Sequence, residues 1–204
     1  MNKISNKVGQ ADWRRLGAVV GGAFVADPVS RWTLGDPDTI VATFTALGRH
    51  VYLPRGTCYL MGESGGTMWL GPGLSKDMPL LPTIAVAARL VRRSGPAAVG
   101  RALAVEAAMK AHRPAKPHLY LFAVGVAPGA RGKGVGRALL APTLAECDAA
   151  GTDAYLENSN PANTGFYRSL GFEPGESFTA APGCPPLMPM WRAARNVAGP
   201  AGTP

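Results

Sequence analysis

The sequence predicts an α/β (α+β) fold, helices packed on one sheet, and three stretches predict it. HLYLFAVGV (118–126) is a nearly unbroken apolar run after Pro117, the pattern of a central strand covered on both faces. TCYLMGE (57–63) and TMWL (67–70) flank Ser64, Gly65 and Gly66, which reads as a two-stranded hairpin around a glycine turn. PGARGKGVGRALLAPTLAECDAAG (128–151) passes from a turn through glycines into an apolar stripe, Val135, Leu139, Leu140 and Leu144, at helical spacing and closes at Gly151.

The other elements follow in order. A helix is expected over 11–25, ended by Asp27 and Pro28, and a second from Asp36, Pro37 and Asp38 to about 49. Pro54 and Gly56 punctuate before the hairpin, and GPGLSKDMP is a loop. Two helices over 81–93 and 96–111 are split by Ser94, Gly95 and Pro96. After the long helix come a strand, DAYLEN (153–158), a short helix over 161–171 with Pro at its start and Gly at its end, and a last strand over 185–192. Residues 11–192 read as a single domain, without internal repeats, and residues 1–10 and 193–204 as flexible ends of low apolar content.

Composition narrows the function. The chain has 204 residues, 47% hydrophobic, enough for a packed core. Its 21 Lys and Arg against 13 Asp and Glu give a formal charge of +8, which favours anionic ligands without choosing among phosphate, nucleic acid and lipid. Cys58, Cys147 and Cys184 are widely spaced and form no CxxC pair, so neither a disulfide framework nor a metal site is indicated, and a reducing compartment fits best. The N-terminal residues lack the apolar core of a signal peptide, and GAVVGGAFVA is too short to span a bilayer; the expectation is a cytoplasmic protein without a membrane partner.

The stretch RGKGVGR (131–137) carries the chemistry. A strand feeding a glycine-rich turn that opens a helix makes an anion site, because the first helical N–H groups lack intrahelical acceptors and the dipole is positive there. Gly132, Gly134 and Gly136 let those amides approach a ligand, and Arg131, Lys133 and Arg137 add charge. Two nucleotide motifs fail. No Ser or Thr follows the lysine as a P-loop requires, and a GxGxxG run started at Gly132 or Gly134 meets Arg137 or Leu139 at its last position.

What fits is R-x-x-G-x-G, read as Arg131, Gly134 and Gly136, after a V-x-P turn at Val126 and Pro128. This resembles the acyl-CoA-binding motif of the GNAT N-acetyltransferase superfamily. LENSNPANTGFYRSLGF (156–172) is similar to that superfamily's later motif, here Asn163, Tyr167 and the pair Gly171-Phe172. The two lie in the expected order and span about residues 118–178. Weaker likeness upstream, ADP at 26–28, Trp32, WLGPG at 69–73 and HLYL at 118–121, is similar to the branch containing puromycin N-acetyltransferase, where a proline is expected in place of Gly71.

The resemblance implies a mixed, largely antiparallel sheet with a splayed strand pair, flanked by helices, and acetyl-CoA as co-substrate. It implies that the backbone of Val124, Gly125 and Val126 pairs with the pantetheine arm, and that residues 131–137, Val135 among them, hold the diphosphate. Tyr167 is the candidate general acid toward the leaving thiolate, and Asn163, one turn earlier, a cofactor contact. The base stays open among His118, Tyr120 and Glu157, on strands expected to border the cleft; many family members carry a Glu where Tyr120 stands. Because strand residues alternate faces, His118 and Tyr120 should point the same way. Glu157, Tyr120 and Trp69 are the candidate substrate contacts.

The activity so implied is acetyl transfer to a primary amine of a small molecule by direct attack on the thioester. A protein lysine or N-terminal acetyltransferase and a non-catalytic acyl-CoA-binding protein of the same fold are the alternatives. A nucleic-acid module finds no run of basic residues interleaved with aromatics. Oligomeric state and acceptor are not legible in the residues.

Overall fold

A computed structural model of the chain describes residues 5–195. Of the ends expected to be flexible, residues 1–4 and 196–204 lie outside the described residues; Asn6–Lys7 forms a short strand, β1. Then come α1 (Trp13–Phe24), α2 (Pro28–Leu34) and α3 (Pro37–Leu47), which runs through a π-helical turn (Gly48–Tyr52) into a single turn, α4 (Leu53–Arg55). The hairpin is β2 (Thr57–Leu60) and β3 (Gly65–Leu70), followed by α5 (Leu80–Ser94) and α6 (Ala97–His112). β4 (His118–Val126), α7 (Val135–Ala150) and β5 (Asp153–Asn158) form the centre, and α8 (Thr164–Arg168), β6 (Glu173–Pro174) and β7 (Met188–Arg192) complete the order.

α2 is not among the helices that the sequence predicts. Asp27 and Pro28 terminate α1 as expected, but they also begin a new helix: the Asp27 carboxylate accepts from Ser30 N–H at 2.8 Å, and Pro28 sits at the first helical position. Asp36 and Pro37 repeat the device for α3, with Thr39 N–H at 2.8 Å. Arg93 reaches Asp36 at 2.8 Å and Asp38 at 3.2 Å and pins α5 to the start of α3. The short helix expected over 161–171 is a 3₁₀ turn (Pro161–Asn163) followed by α8.

The sheet runs β1-β2-β3-β4-β5-β7-β6. Every pair is antiparallel except β4 and β5, which run parallel. Their ladder is short, His118↔Asp153, Leu119↔Ala154 and Tyr120↔Tyr155. Past Tyr120 the two strands diverge, so one edge of β4 between Leu121 and Val126 has no strand partner among the described residues. This is the mixed, largely antiparallel sheet with a splayed pair that the resemblance implies.

A bulge decides which side chains face which layer. Met68 pairs with Ala123 but Trp69 with Leu121, so Phe122 is an extra residue in β4 and the alternation reverses there. Tyr120 and Ala123 therefore lie in the core under α1 and α3, while Leu121 and Trp69 pack with Leu140 and Leu144 of α7. His118 and Tyr120 share a face as alternation requires, but Val124 is on the opposite one.

α1 crosses β4 at close range because Gly125 has no side chain. A Cβ there would stand 2.9 Å from Val20 Cα and 3.0 Å from the Ala23 methyl, both fixed to one helix. Gly125→Ala is expected to destabilise the fold by about 1–3 kcal/mol, the usual effect of overpacking, with a lower urea midpoint at unchanged slope.

At the far end of the molecule, buried Arg192 forms a bidentate pair with Asp148 at 2.8 and 2.7 Å and donates from Nε to the Leu170 carbonyl. It ties the end of α7 to β7 and to the turn after α8.

Candidate active site

The divergence of β4 and β5 opens a cleft of about 500 Å³. Its floor is β4 from Leu121 to Val126, one wall the turn and first residues of α7, the other Leu156 to Asn160 with α8. The α1–α2 junction, Phe24 to Asp27, closes the rim. Of the residues singled out from the sequence, the cleft brings together Val124, Val126, Arg131, Gly132, Gly134, Val135, Gly136, Arg137, Glu157, Asn163 and Tyr167.

The turn is built for an anion. Gly134 caps α7 in the left-handed conformation, φ 78°, and Gly132 is left-handed too, φ 71°, which a side chain would strain. The first amides of α7 thus open onto the cleft with no intrahelical acceptor. Gly136 meets the ring of Phe166, where a Cβ would come within 3.0 Å. Arg137 is held by Ser169 Oγ at 2.8 Å, Arg131 by the Val126 carbonyl at 3.3 Å, and Lys133 donates to the Gly129 carbonyl at 2.7 Å. Oriented amides, two glycines without Cβ crowding and flanking guanidinium groups are a donor set that fits a diphosphate.

On the opposite wall Glu157 stands two residues beyond the end of the β4–β5 ladder. It shares a face with Tyr155, toward the α1–α3 layer. Burial raises its pKa above the ordinary carboxyl value, against the opposing influence of the Tyr120 hydroxyl, Lys76, Arg113 and the Tyr155 hydroxyl. The two hydroxyls lie beside the carboxyl, yet neither contact has the geometry of a hydrogen bond: Tyr120 Oη, Tyr155 Oη and Glu157 Oε1 are buried without a partner among the described residues. Tyr167 is 8% exposed, and burial pushes its phenol above its usual pKa, so it stays protonated throughout the neutral range.

Other candidates lie outside the cleft. His118 is at the closed end of the strand pair, about 20 Å from Val124 at ~3.3 Å per residue. Its ring packs edge-on to Tyr155 and Trp191, its Nδ1–H donates to the Lys116 carbonyl at 2.7 Å, and burial lowers its pKa. Trp69 is fully buried against the α7 layer, and Gly125 faces α1. Tyr120 is buried behind Glu157 rather than on the cleft surface. Lys133 is in the turn but not on the cleft wall.

Phe24, Asp27, Phe122 and Ser159 also line the cleft, beyond the site residues expected from the sequence. Asp27 caps α2 and also accepts from the Ser159 hydroxyl at 2.6 Å, joining the rim to the end of β5 across the cleft. The ADP triplet carried the capping signal; the contact with Ser159 spans 132 residues and has no local trace.

The fold is that of the GNAT acetyltransferases. Residues 86–172 match the acetyltransferase (GNAT) family. Among solved structures, it is similar to a histone acetyltransferase HPA2 and related acetyltransferase from Corynebacterium glutamicum, with a TM-score of 0.69 and 24% identity over 98% of this chain and 100% of that one. Arylalkylamine N-acetyltransferase 2 from Aedes aegypti superposes with a TM-score of 0.59 at 11% identity, over 95% of this chain and 99% of that one. The Drosophila melanogaster polyamine N-acetyltransferase, which forms N-acetylagmatine, gives 0.54 at 14% identity, over 93% and 99%. At these identities the likeness is one of fold. No helix of the described residues is long and apolar enough to cross a membrane.

Proposed function

We propose that the protein transfers an acetyl group from acetyl-CoA to a primary amine of a small molecule. The observation that carries this reading is the placement of Glu157 and Tyr167 on one cleft with the glycine turn. Polyamine and arylalkylamine acetyltransferases among the structures of the same fold support the small-molecule acceptor. So does the enclosure of the cleft between Phe24, Phe122 and Phe166. Ala26, Asp27 and Pro28, which border the cleft or begin the helix beside it, keep a puromycin N-acetyltransferase-like placement in view. Three buried free thiols suit a reducing cytoplasm.

When bound, the co-substrate supplies an activated thioester. The amides of α7 and the side chains of Arg131 and Arg137 hold its diphosphate, and the unpaired edge of β4 hydrogen-bonds its extended arm as a neighbouring strand would. An alkylammonium of pKa ~10.4 presents the neutral amine in roughly 1 of 10³ molecules at pH 7, so a base is needed. Glu157 takes that proton as the nitrogen attacks the carbonyl carbon; the carbon–sulfur bond then breaks, and the Tyr167 hydroxyl donates to the charge developing on sulfur. His118, at the closed end of the strand pair, is left with a packing role.

The direct test is purified protein with acetyl-CoA and a set of amines, with free thiol release as the readout and calorimetry of CoA binding alongside. Amine-dependent thiol release is the expected result. CoA binding without turnover on any amine would leave a binding protein; no CoA binding would overturn the reading of the turn.

A further inference from the structure

Behind Glu157, away from the turn, the core holds a group of polar atoms that the fold does not pair. Tyr52, Tyr120 and Tyr155 are 0%, 4% and 1% exposed, and the hydroxyl of each lacks a hydrogen-bond partner among the described residues, those of Tyr120 and Tyr155 lying beside the Glu157 carboxyl. Arg113, just past the end of α6, reaches into the same place: its guanidinium lies 4.5 Å from the centre of the Tyr120 ring, and its Nε and Nη2 are buried with no acceptor. The rings are contiguous, Tyr120 with Tyr155 at 6.2 Å and Tyr52 stacked on Phe122 at 4.7 Å, and Phe122 is a cleft residue.

Native interiors leave few buried donors unpaired, because each unmade hydrogen bond is costly and a charged one more so. Here several of the same sign of demand converge. Phenols whose pKa values burial raises are protonated donors, and a guanidinium is donor only. Lys76, the nearby ammonium, is already paired with Glu106 at 2.8 Å. Glu157 and Arg113 feel each other's charge but form no ion pair among the described residues. Glu157 thus stands on the cleft, where an amine must come, with unpaired donors of Tyr52, Tyr120, Tyr155 and Arg113 buried around it.

We propose that the acceptor is an amine that also carries a carboxylate, with its nitrogen at Glu157 and its anion received by Arg113 and the hydroxyls of Tyr52, Tyr120 and Tyr155. The inference rests on the acyl-transfer reading of the cleft and adds the charge type of the substrate. A diamine would put a second cation against Arg113, and a plain alkylamine would leave the four donors unmet. Apolar parts of the ligand would lie against Phe122 and Phe24, which line the way in.

The test uses ω-amino carboxylates of three to six carbons, each beside the alkylamine and the diamine of equal length, assayed by thiol release with acetyl-CoA. At the best length kcat/KM for the amino carboxylate is expected to exceed that of its alkylamine by about 10- to 100-fold, the range for a hydrogen bond to a charged group, with the diamine weakest. In Arg113→Gln that ratio collapses toward one, and Arg113→Lys recovers part of it. Simple carboxylates of the same length are expected to compete with the acceptor in the wild type and not in Arg113→Gln, while CoA affinity by calorimetry is the same in both.

Equal efficiency for the matched pair, or an equal loss on both in Arg113→Gln, would overturn the proposal and leave the acyl-transfer reading standing, with the donors serving bound water. Preference for an amino phosphonate over the carboxylate of equal length would overturn the choice of anion. Absence of turnover on every amine with CoA binding intact would instead overturn the acyl-transfer reading, and the substrate class with it.

Discussion

Tyr167→Phe is expected to lower kcat by about 10²–10³-fold, the effect of losing one positioned donor to a developing negative charge, with CoA affinity retained. The ring keeps its packing against Phe166 and Phe172, at 5.2 and 6.0 Å, so only the hydroxyl is lost. Because burial holds the phenol above its usual pKa, the wild type should show no loss of activity from Tyr167 ionisation on the alkaline side up to about pH 10. Single-turnover thiol release and calorimetric CoA titration read the two effects separately. Unchanged turnover would remove Tyr167 from the chemistry and leave it a core residue.

Glu157→Gln has the second large effect, and pH resolves it. With a carboxylate base, kcat/KM climbs with pH to the raised pKa of Glu157 and then levels off until the ammonium itself titrates near ~10.4. Without it, only free amine reacts. The variant is therefore expected to fall short by about 10²–10⁴-fold at neutral pH and to keep rising tenfold per pH unit toward the amine pKa, closing the gap. A parallel profile in both proteins would exclude Glu157 as the base.

The same group has a stability signature. The folded state holds the Glu157 proton more tightly than the unfolded chain, so stability declines as pH rises from the ordinary carboxyl pKa of 4.5 through the raised value. Gln carries no such charge. Glu157→Gln should raise the thermal midpoint relative to the wild type at pH 8 and not at pH 4, a gain in stability alongside the loss of turnover.

The centre of the fold was legible because its signals are local. β4 spans 118–126 and β5 spans 153–158, as their apolar runs and flanking turn residues indicate, and Gly134 and Gly151 bound α7 as a turn glycine and a C-terminal glycine do. Each signal is a period or a special backbone angle that a few consecutive residues express. α2 was lost for a local reason as well: one Asp-Pro pair both ends a helix and begins the next, and a stop signal read alone conceals the start.

By itself the sequence determined the glycine turn and the helix it opens, since residue type and spacing suffice for an anion cradle, while the candidate roles of Glu157 and Tyr167 came from the family resemblance. Tertiary structure alone decided which candidates meet. The bulge at Phe122 exists only as a register against β3, and it sends Tyr120 and Val124 to opposite layers. Burial of Glu157, which raises its pKa, and the gathering of Tyr52, Arg113 and Tyr155 around it come from three separate segments of the chain. A pKa or an unmet donor is a property of surroundings, and the surroundings here are supplied by distant parts of the chain.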